Sequence, residues 1–217
     1  MEESTSREKV LKKIRKALIH KTNQPFPKID LEKSIYSLST DSPEEQFAKA
    51  FTKVGGQFVF CESELDFLEN IISLAEQKGW KKFFCWEKKI TDLMDQCAFP
   101  YQPKENVDFE EGMAGITGCE ALIARLGSIM ISSKQQSGRR LAAISTTHLV
   151  LAYTSQIVQE LKDGLQFIRT KYQDQFPSQI ATITGPSRTA DIEKTLVTGA
   201  HGPKEIFVFL VDDSTKS

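Results

Sequence analysis

The sequence has no Cys-x-x-Cys pair. Its four cysteines, Cys61, Cys85, Cys97 and Cys119, are spaced for neither a zinc ribbon nor a ferredoxin-type iron–sulfur motif. Cys61 in QFVFC and Cys85 in KKFFCW sit in apolar, strand-like runs, the ordinary place for a buried reduced thiol. A structural role is expected for all four, so the chain is expected to carry no cluster of its own. The sequence also lacks an excess of either charge. Its 28 Lys and Arg against 29 Asp and Glu leave a formal net charge of -1, which gives no global reason to expect nucleic acid or a membrane as partner. No apolar run reaches the roughly 20 residues that span a bilayer. The stretch MEESTSREKVLKKIRKALIH is charged throughout and has no apolar h-region, which predicts a cytoplasmic protein rather than a secreted one. Histidine is scarce. His20, His148 and His201 have no second ligand placed beside them, so no metal site is expected. GxGxxG, Walker A, HExxH and GxSxG are missing, as are internal repeats and low-complexity tracts.

The residues that are present read as one α/β domain with an appendage. Thr5-x-x-Glu8 is a capping box opening an amphipathic helix, with Val10, Leu11, Ile14 and Leu18 on one stripe and Lys9, Lys12, Lys13, Arg15 and Lys16 opposite. A linker-like stretch with two prolines comes next, so residues 1–40 read as a basic arm and 41–217 as the α/β domain. Ser42-Pro43-Glu44-Glu45 starts a helix ended by Gly55-Gly56. QFVFC, a helix from Ser63 to Lys78, KKFFCW and a helix from about Glu87 to Cys97 then alternate, which predicts a parallel sheet covered by helices. Farther on, ALIAR and IMISS flank Leu126-Gly127-Ser128, a candidate two-residue hairpin turn. LAAIS and HLVLAYT are further strand candidates, and a helix from Ser155 to Tyr172 is expected to bury Ile157, Val158, Leu161, Leu165 and Ile168. This predicts a mixed sheet or an antiparallel excursion from a parallel one.

The densest polar cluster lies in ITGPSRTADIEKTLVTGAHGPKE, residues 183–205. QIATIT, a helix from Thr189 to Val197 and EIFVFLV compose a predicted βαβ unit of about 35 residues. Ligands in open α/β sheets bind beyond strand carboxyl ends, at helix N-termini, where free N–H groups favour an anion. Two readings compete. Capping alone accounts for Ser187 or Thr189, for Asp191 and Glu193 on the dipole, and for Gly199 at the helix end. It does not account for Arg188, a cation at the positive end of a helix, which suits a carboxylate or phosphate. A second cluster, residues 113–133, contributes Gly118, Glu120 and Gly127-Ser128. Its competing reading is a pair of tight turns.

GITGCEALIARLGSIMIS followed by ITGPSRTADIEKTLVTGAHGPKEIFVFLVD resembles the lactate utilization protein C family, the LUD-domain proteins, over about residues 43–213. The resemblance implies a three-layer Rossmann-like α/β fold with a mixed sheet, of the NagB/RpiA/CoA-transferase-like kind. It also implies a small subunit of a cytoplasmic system oxidising L-lactate to pyruvate, with iron–sulfur clusters in partner subunits. One departure stands out: where the family often has A-E-T-G, this sequence has Arg125 and Leu126 before Gly127.

The site expected from these readings is formed by Gly118, Glu120, Gly127 and Ser128 facing Gly185, Ser187, Arg188, Thr189 and Asp191. Arg188 is the anion clamp and Glu120 the general base or hydroxyl acceptor. Two further functions fit the sequence. One is a stand-alone enzyme of the same fold acting on a sugar phosphate, a CoA thioester or a folate-like substrate. The other is an assembly or regulatory subunit that docks through the basic arm.

Overall fold

The structure is a computed structural model that describes residues 5–19, 36, 39–80, 83–102, 114–189, 197–198 and 202–214. It divides into two units, Met1–Leu38 and Ser39–Ser217. In the first, helix α1 (Ser6–Ile19) opens on the expected box: Thr5 N–H donates to Glu8 Oε2 at 2.9 Å and Glu8 N–H to Thr5 Oγ1 at 3.4 Å. None of its side chains is buried.

The second unit is built on a five-stranded, all-parallel sheet. Its strands are β1 (Gln57–Cys61), β2 (Phe83–Cys85), β3 (Ala114–Thr117), β6 (Thr147–Tyr153) and β11 (Glu205–Val211), and they lie in the order β1-β11-β6-β3-β2. Side chains alternate across each strand, so odd and even positions feed different cores. Leu149, Leu151 and Tyr153 of β6 pack with Phe207 and Phe209 of β11 against helices α3 (Glu64–Lys78) and α4 (Lys88–Gln96). Val150 and Ala152, with Val208 and Leu210, face the other way, onto Phe47 and Phe51 of α2 (Pro43–Lys53). Helix α3 joins β1 at one edge to β2 at the other. Its 15 residues span about 22 Å, enough to cross four strand spacings of about 4.8 Å.

The antiparallel excursion is a separate four-stranded sheet. It comprises β4 (Ala121–Ile123), β5 (Ser128–Ser132), β7 (Ile157–Val158) and β8 (Ile180–Ile183), in the order β7-β4-β5-β8. One face joins the α2 core through Leu122 and Ile129; the other buries Ala121, Ile123 and Met130 beneath Ile168 of α6 (Leu161–Tyr172). Helices, parallel sheet and α2 with the small sheet give the three-layer Rossmann-like plan, and α6 covers the small sheet's far side.

Several expected elements differ. LAAIS is a short helix, α5 (Leu141–Ile144), not a strand. Its buried residues are Leu141 and Ala142, adjacent positions, and no alternation drives it into a sheet. The helix expected from Ser155 begins only at Leu161, because Ile157 and Val158 are taken by β7, paired in parallel with Leu122 and Ile123. Its buried face is Gly164 and Ile168; Leu161 and Leu165 are 38% and 42% exposed. The hairpin between β4 and β5 has four loop residues rather than two, since Ile123 pairs with Ser128 and Gly127 adopts φ +58°. Finally, 179–211 is not a βαβ unit. β8 runs antiparallel to β5 in the small sheet, whereas β11 lies in the parallel one. Thr189 and Val197, the ends of the expected helix, pair instead as antiparallel strands β9 (Arg188–Thr189) and β10 (Val197–Thr198).

Candidate functional site

The residues expected to form one site fall in three places. Gly127, Ser128, Gly185 and Arg188 do come together, and Ser128 Oγ lies 2.8 Å from Thr184 Oγ1. The space they enclose is filled by the end of α2. A Cβ on Gly127 would stand 2.3 Å from Phe51 N, and one on Gly185 2.4 Å from the Val54 carbonyl oxygen. The Arg188 guanidinium donates to that same carbonyl at 2.7 Å. The cation that lacked an explanation at a helix N-terminus thus faces a helix C-terminus, whose unpaired carbonyls favour positive charge. Ser187 and Gly185 also line a cavity between β5, β8 and α5. Asp191 lies outside the described residues, and Thr189 is placed only by its backbone in β9. Arg125, at the departure from the family pattern, forks onto Glu160 just before α6, its Nε 2.7 and 2.8 Å from the two carboxylate oxygens.

Gly118 and Glu120 belong to a third place, the carboxyl edge of the parallel sheet. All five strands end there, and residues at or just beyond the ends of β2, β3, β6 and β11 line a cleft of about 350 Å³. Glu87 comes after β2, Gly118 and Cys119 after β3, Tyr153 and Ser155 at the end of β6, and Asp213 after β11; Lys171 arrives from α6. Strand carboxyl ends are where α/β sheets bind ligands.

The charges are arranged in two tiers. Glu120 is fully buried below the cleft, and its oxygens take three donors: Ser132 Oγ at 2.5 Å, Tyr172 OH at 2.7 Å and Lys171 Nζ at 2.8 Å. It is an anchor with its hydrogen-bonding capacity engaged. Above it, the Lys171 side chain is 45% exposed. Burial pulls its pKa down, but the Glu120 carboxylate outweighs that and holds the ammonium charged above its ordinary range. Lys89 adds a second cation, its Nζ 3.8 Å from the Tyr153 ring centre.

Glu87 faces this lysine tier. Its Oε1 accepts the Gly118 N–H at 3.1 Å, and Ser137 supplies a side-chain hydrogen bond. Burial nonetheless dominates and raises its pKa above the usual carboxylate value. A Cβ at Gly118 would stand 2.9 Å from Glu87 Oε2, so the glycine leaves room for the carboxylate against the backbone. Behind Gly118 runs a buried chain. Thr117 Oγ1 donates to the Gly118 carbonyl at 2.8 Å and lies 2.9 Å from His148 Nε2. The threonine proton is spent on the carbonyl, so His148 donates through Nε2 and its Nδ1 carries the lone pair. That Nδ1 is buried without a partner, and burial lowers the imidazole pKa to about 4, so the ring is neutral.

Asp213 is committed to structure: it accepts from Thr154 Oγ1 at 2.7 Å, Ser155 N–H at 2.9 Å and Ser155 Oγ at 2.6 Å. Burial pushes the Cys61 and Cys85 thiols up to about 12 and Cys119 upward as well, which keeps these three protonated and poor nucleophiles. Among the described residues no group of His, Cys, Asp and Glu is placed to hold a metal ion.

Glu87, Tyr153 and Lys171 line the cleft without belonging to the polar clusters that the sequence marks. The signal for the first two was available, because each stands at the end of an apolar strand run, KKFFCWE and HLVLAY. Lys171 carries no such mark.

Residues 104–211 match the family model described as LUD domain. A lactate utilization protein C from Macrococcus caseolyticus is 28% identical over 178 residues, 81% of this chain and 70% of that protein. One from Bacillus subtilis is 36% identical over 106 residues, 48% of this chain and 44% of its own length, and for most of the curated relatives the match spans less than half of the relative. The crystal structure of a DUF162 family protein from Deinococcus radiodurans superposes with a TM-score of 0.59 at 20% identity, covering 81% of this chain and 99% of that one, a likeness of fold. Residues 104–211 therefore form a LUD domain, the segment through which the chain is similar to these relatives.

Proposed function

We propose that the chain serves lactate utilization by holding a small 2-hydroxy carboxylate in the cleft at the carboxyl edge of its parallel sheet, as a subunit of a cytoplasmic lactate-oxidising system. The names of its relatives support the setting. One observation carries the chemistry: a carboxyl group with raised proton affinity, Glu87, and a lysine anchored as a cation, Lys171, line the same cleft. Lys171 is the clamp for the substrate carboxylate. Glu87 is the acceptor for the hydroxyl proton, a task suited to a carboxylate whose pKa lies nearer neutrality. Converting a 2-hydroxy acid to a 2-oxo acid removes two protons and two electrons. Glu87 takes the hydroxyl proton; the C2 hydrogen with its two electrons would pass to a hydride-accepting group in a partner subunit, from which iron–sulfur clusters would carry the electrons away singly.

Calorimetric titration of the full chain with L-lactate tests the clamp. The wild type is expected to bind saturably. Lys171→Met combined with Glu120→Gln, which leaves no unpaired buried charge, is expected to weaken binding at least about tenfold while the fold persists. Equal affinity in wild type and double variant overturns the reading. Affinity capture of the chain from cells should retain iron–sulfur proteins, and a capture free of them removes the partner assignment.

A further inference from the structure

The cavity between β5, β8 and α5 has no part in that chemistry, and its construction points to a ligand of its own. It measures about 290 Å³, at the lower end of small-molecule sites, roughly 300–1,000 Å³. Its floor is apolar: Ile131, Ile183 and Ile206 extend the core shared by the two sheets. Its walls are too small to fill it. Ala142, Ala143 and Ala181 stand among glycines, of which Gly185 and Gly202 adopt φ +77° and +110°. These glycines are fixed by backbone demands. A side chain at Gly185 would strike the Val54 carbonyl, and one at Gly202 would press on Ser187 at 3.2 Å. The chain therefore cannot close the hollow with its own side chains at these positions, and an apolar hollow continuous with a core favours an apolar occupant over water.

The polar lining has one sign. Arg139 is exposed at the rim, held by a hydrogen bond to Ser178 Oγ, with Gln179 and Ser187 nearby; no Asp or Glu lines the cavity among the described residues. A guanidinium over an apolar hollow fits a carboxylate on a short hydrocarbon chain, the head at the rim and the tail on the isoleucines.

We propose that this cavity is a second ligand site, separate from the strand-end cleft, that takes a short-chain acyl carboxylate with Arg139 as its anchor. The test titrates the full chain with octanoate and, as the uncharged control, 1-octanol, followed by calorimetry. Wild type is expected to bind one octanoate saturably. Arg139→Gln should weaken octanoate at least about tenfold and leave octanol unchanged. Ala181→Phe, which fills the hollow, should weaken both. If that variant does not fold, Ala143→Leu on the exposed side of α5 serves in its place. Absence of saturable octanoate binding, or binding indifferent to the filling variant, overturns the proposal. An octanoate affinity indifferent to Arg139→Gln overturns the anchor and with it the choice of ligand. Neither result bears on the lactate titration, because Arg139 and Ala181 lie outside the strand-end cleft.

Discussion

Glu87, partly buried, and His148, fully buried, both tie stability to pH, with opposite signs. The folded-state pKa of Glu87 is raised, so between its unfolded and folded values the native state binds more protons than the unfolded one. Stability then falls as pH rises through that window, and above it the ionised carboxylate is a standing penalty. Glu87→Gln is therefore expected to raise the thermal midpoint at pH 8 more than at pH 4 while removing proton-acceptor function. Scanning both proteins at the two pH values checks it, and an equal shift at both sinks the assignment. His148 has a depressed folded pKa of about 4 against an ordinary 6.5. Its stabilising share is complete above about 6.5 and is lost as pH falls toward 4, amounting to roughly 3 kcal/mol by linkage. Chemical denaturation of wild type and His148→Gln at pH 7 and pH 4.5 should show the wild type losing more stability on acidification than the variant. Parallel losses would place the acid sensitivity elsewhere.

Among the elements, α2 decides how the motif around Gly127 and Gly185 is understood. Its last turn occupies the space those residues enclose, Phe51 stacks on Phe47 at 5.3 Å between ring centres, and Arg188 caps the Val54 carbonyl. Gly127→Ala should accordingly be severe. The residue has φ +58°, and a methyl group would meet the α2 backbone at 2.3 to 2.7 Å, which a flexible side chain cannot relieve. Left-handed strain plus displacement of a helix predicts a loss of about 2–4 kcal/mol, measurable by urea unfolding; a loss below about 1 kcal/mol contradicts the packing. The elements legible in sequence were those with strong local signals. EIFVFLV is strand β11 residue for residue, and Ser42 caps α2, the helix it was expected to start. The elements that misled were short and lacked such signals. LAAIS, four residues of helix, gives periodicity too little length to declare itself, and Ile157-Val158 read as the start of α6 because strand pairing with β4 is a distant contact. Arg188 misled for the same reason: its partner, Val54, lies 134 positions away in sequence.

Across the whole molecule, sequence clustering and spatial clustering part company at the candidate site. The 183–205 stretch is polar and dense, yet its described part divides between a helix cap and a cavity wall. The strand-end cleft instead gathers residues from the ends of β2, β3, β6 and β11 and from α6, which no short window contains. The parallel sheet was predicted, and with it an edge where all strands end; the order of neighbouring strands depends on long-range contacts that no local pattern encodes. Ser132 shows how closely the two hollows are built. It lines the cavity between β5, β8 and α5, and its hydroxyl supplies the 2.5 Å bond to Glu120, whose other oxygen holds Lys171 at the cleft. Ser132→Ala removes one of three donors from a fully buried carboxylate, and hydrogen bonds to charged groups contribute about 1.5–3 kcal/mol. The variant is expected to lose stability in that range and, with Lys171 less firmly placed, to bind L-lactate several-fold more weakly. Ser133→Ala, a neighbour whose hydroxyl bonds Ser178 instead, should do neither. Urea midpoints and lactate titrations on both variants decide it: a Ser132→Ala protein as stable as wild type would mean that Glu120 does not depend on the cavity wall for its position.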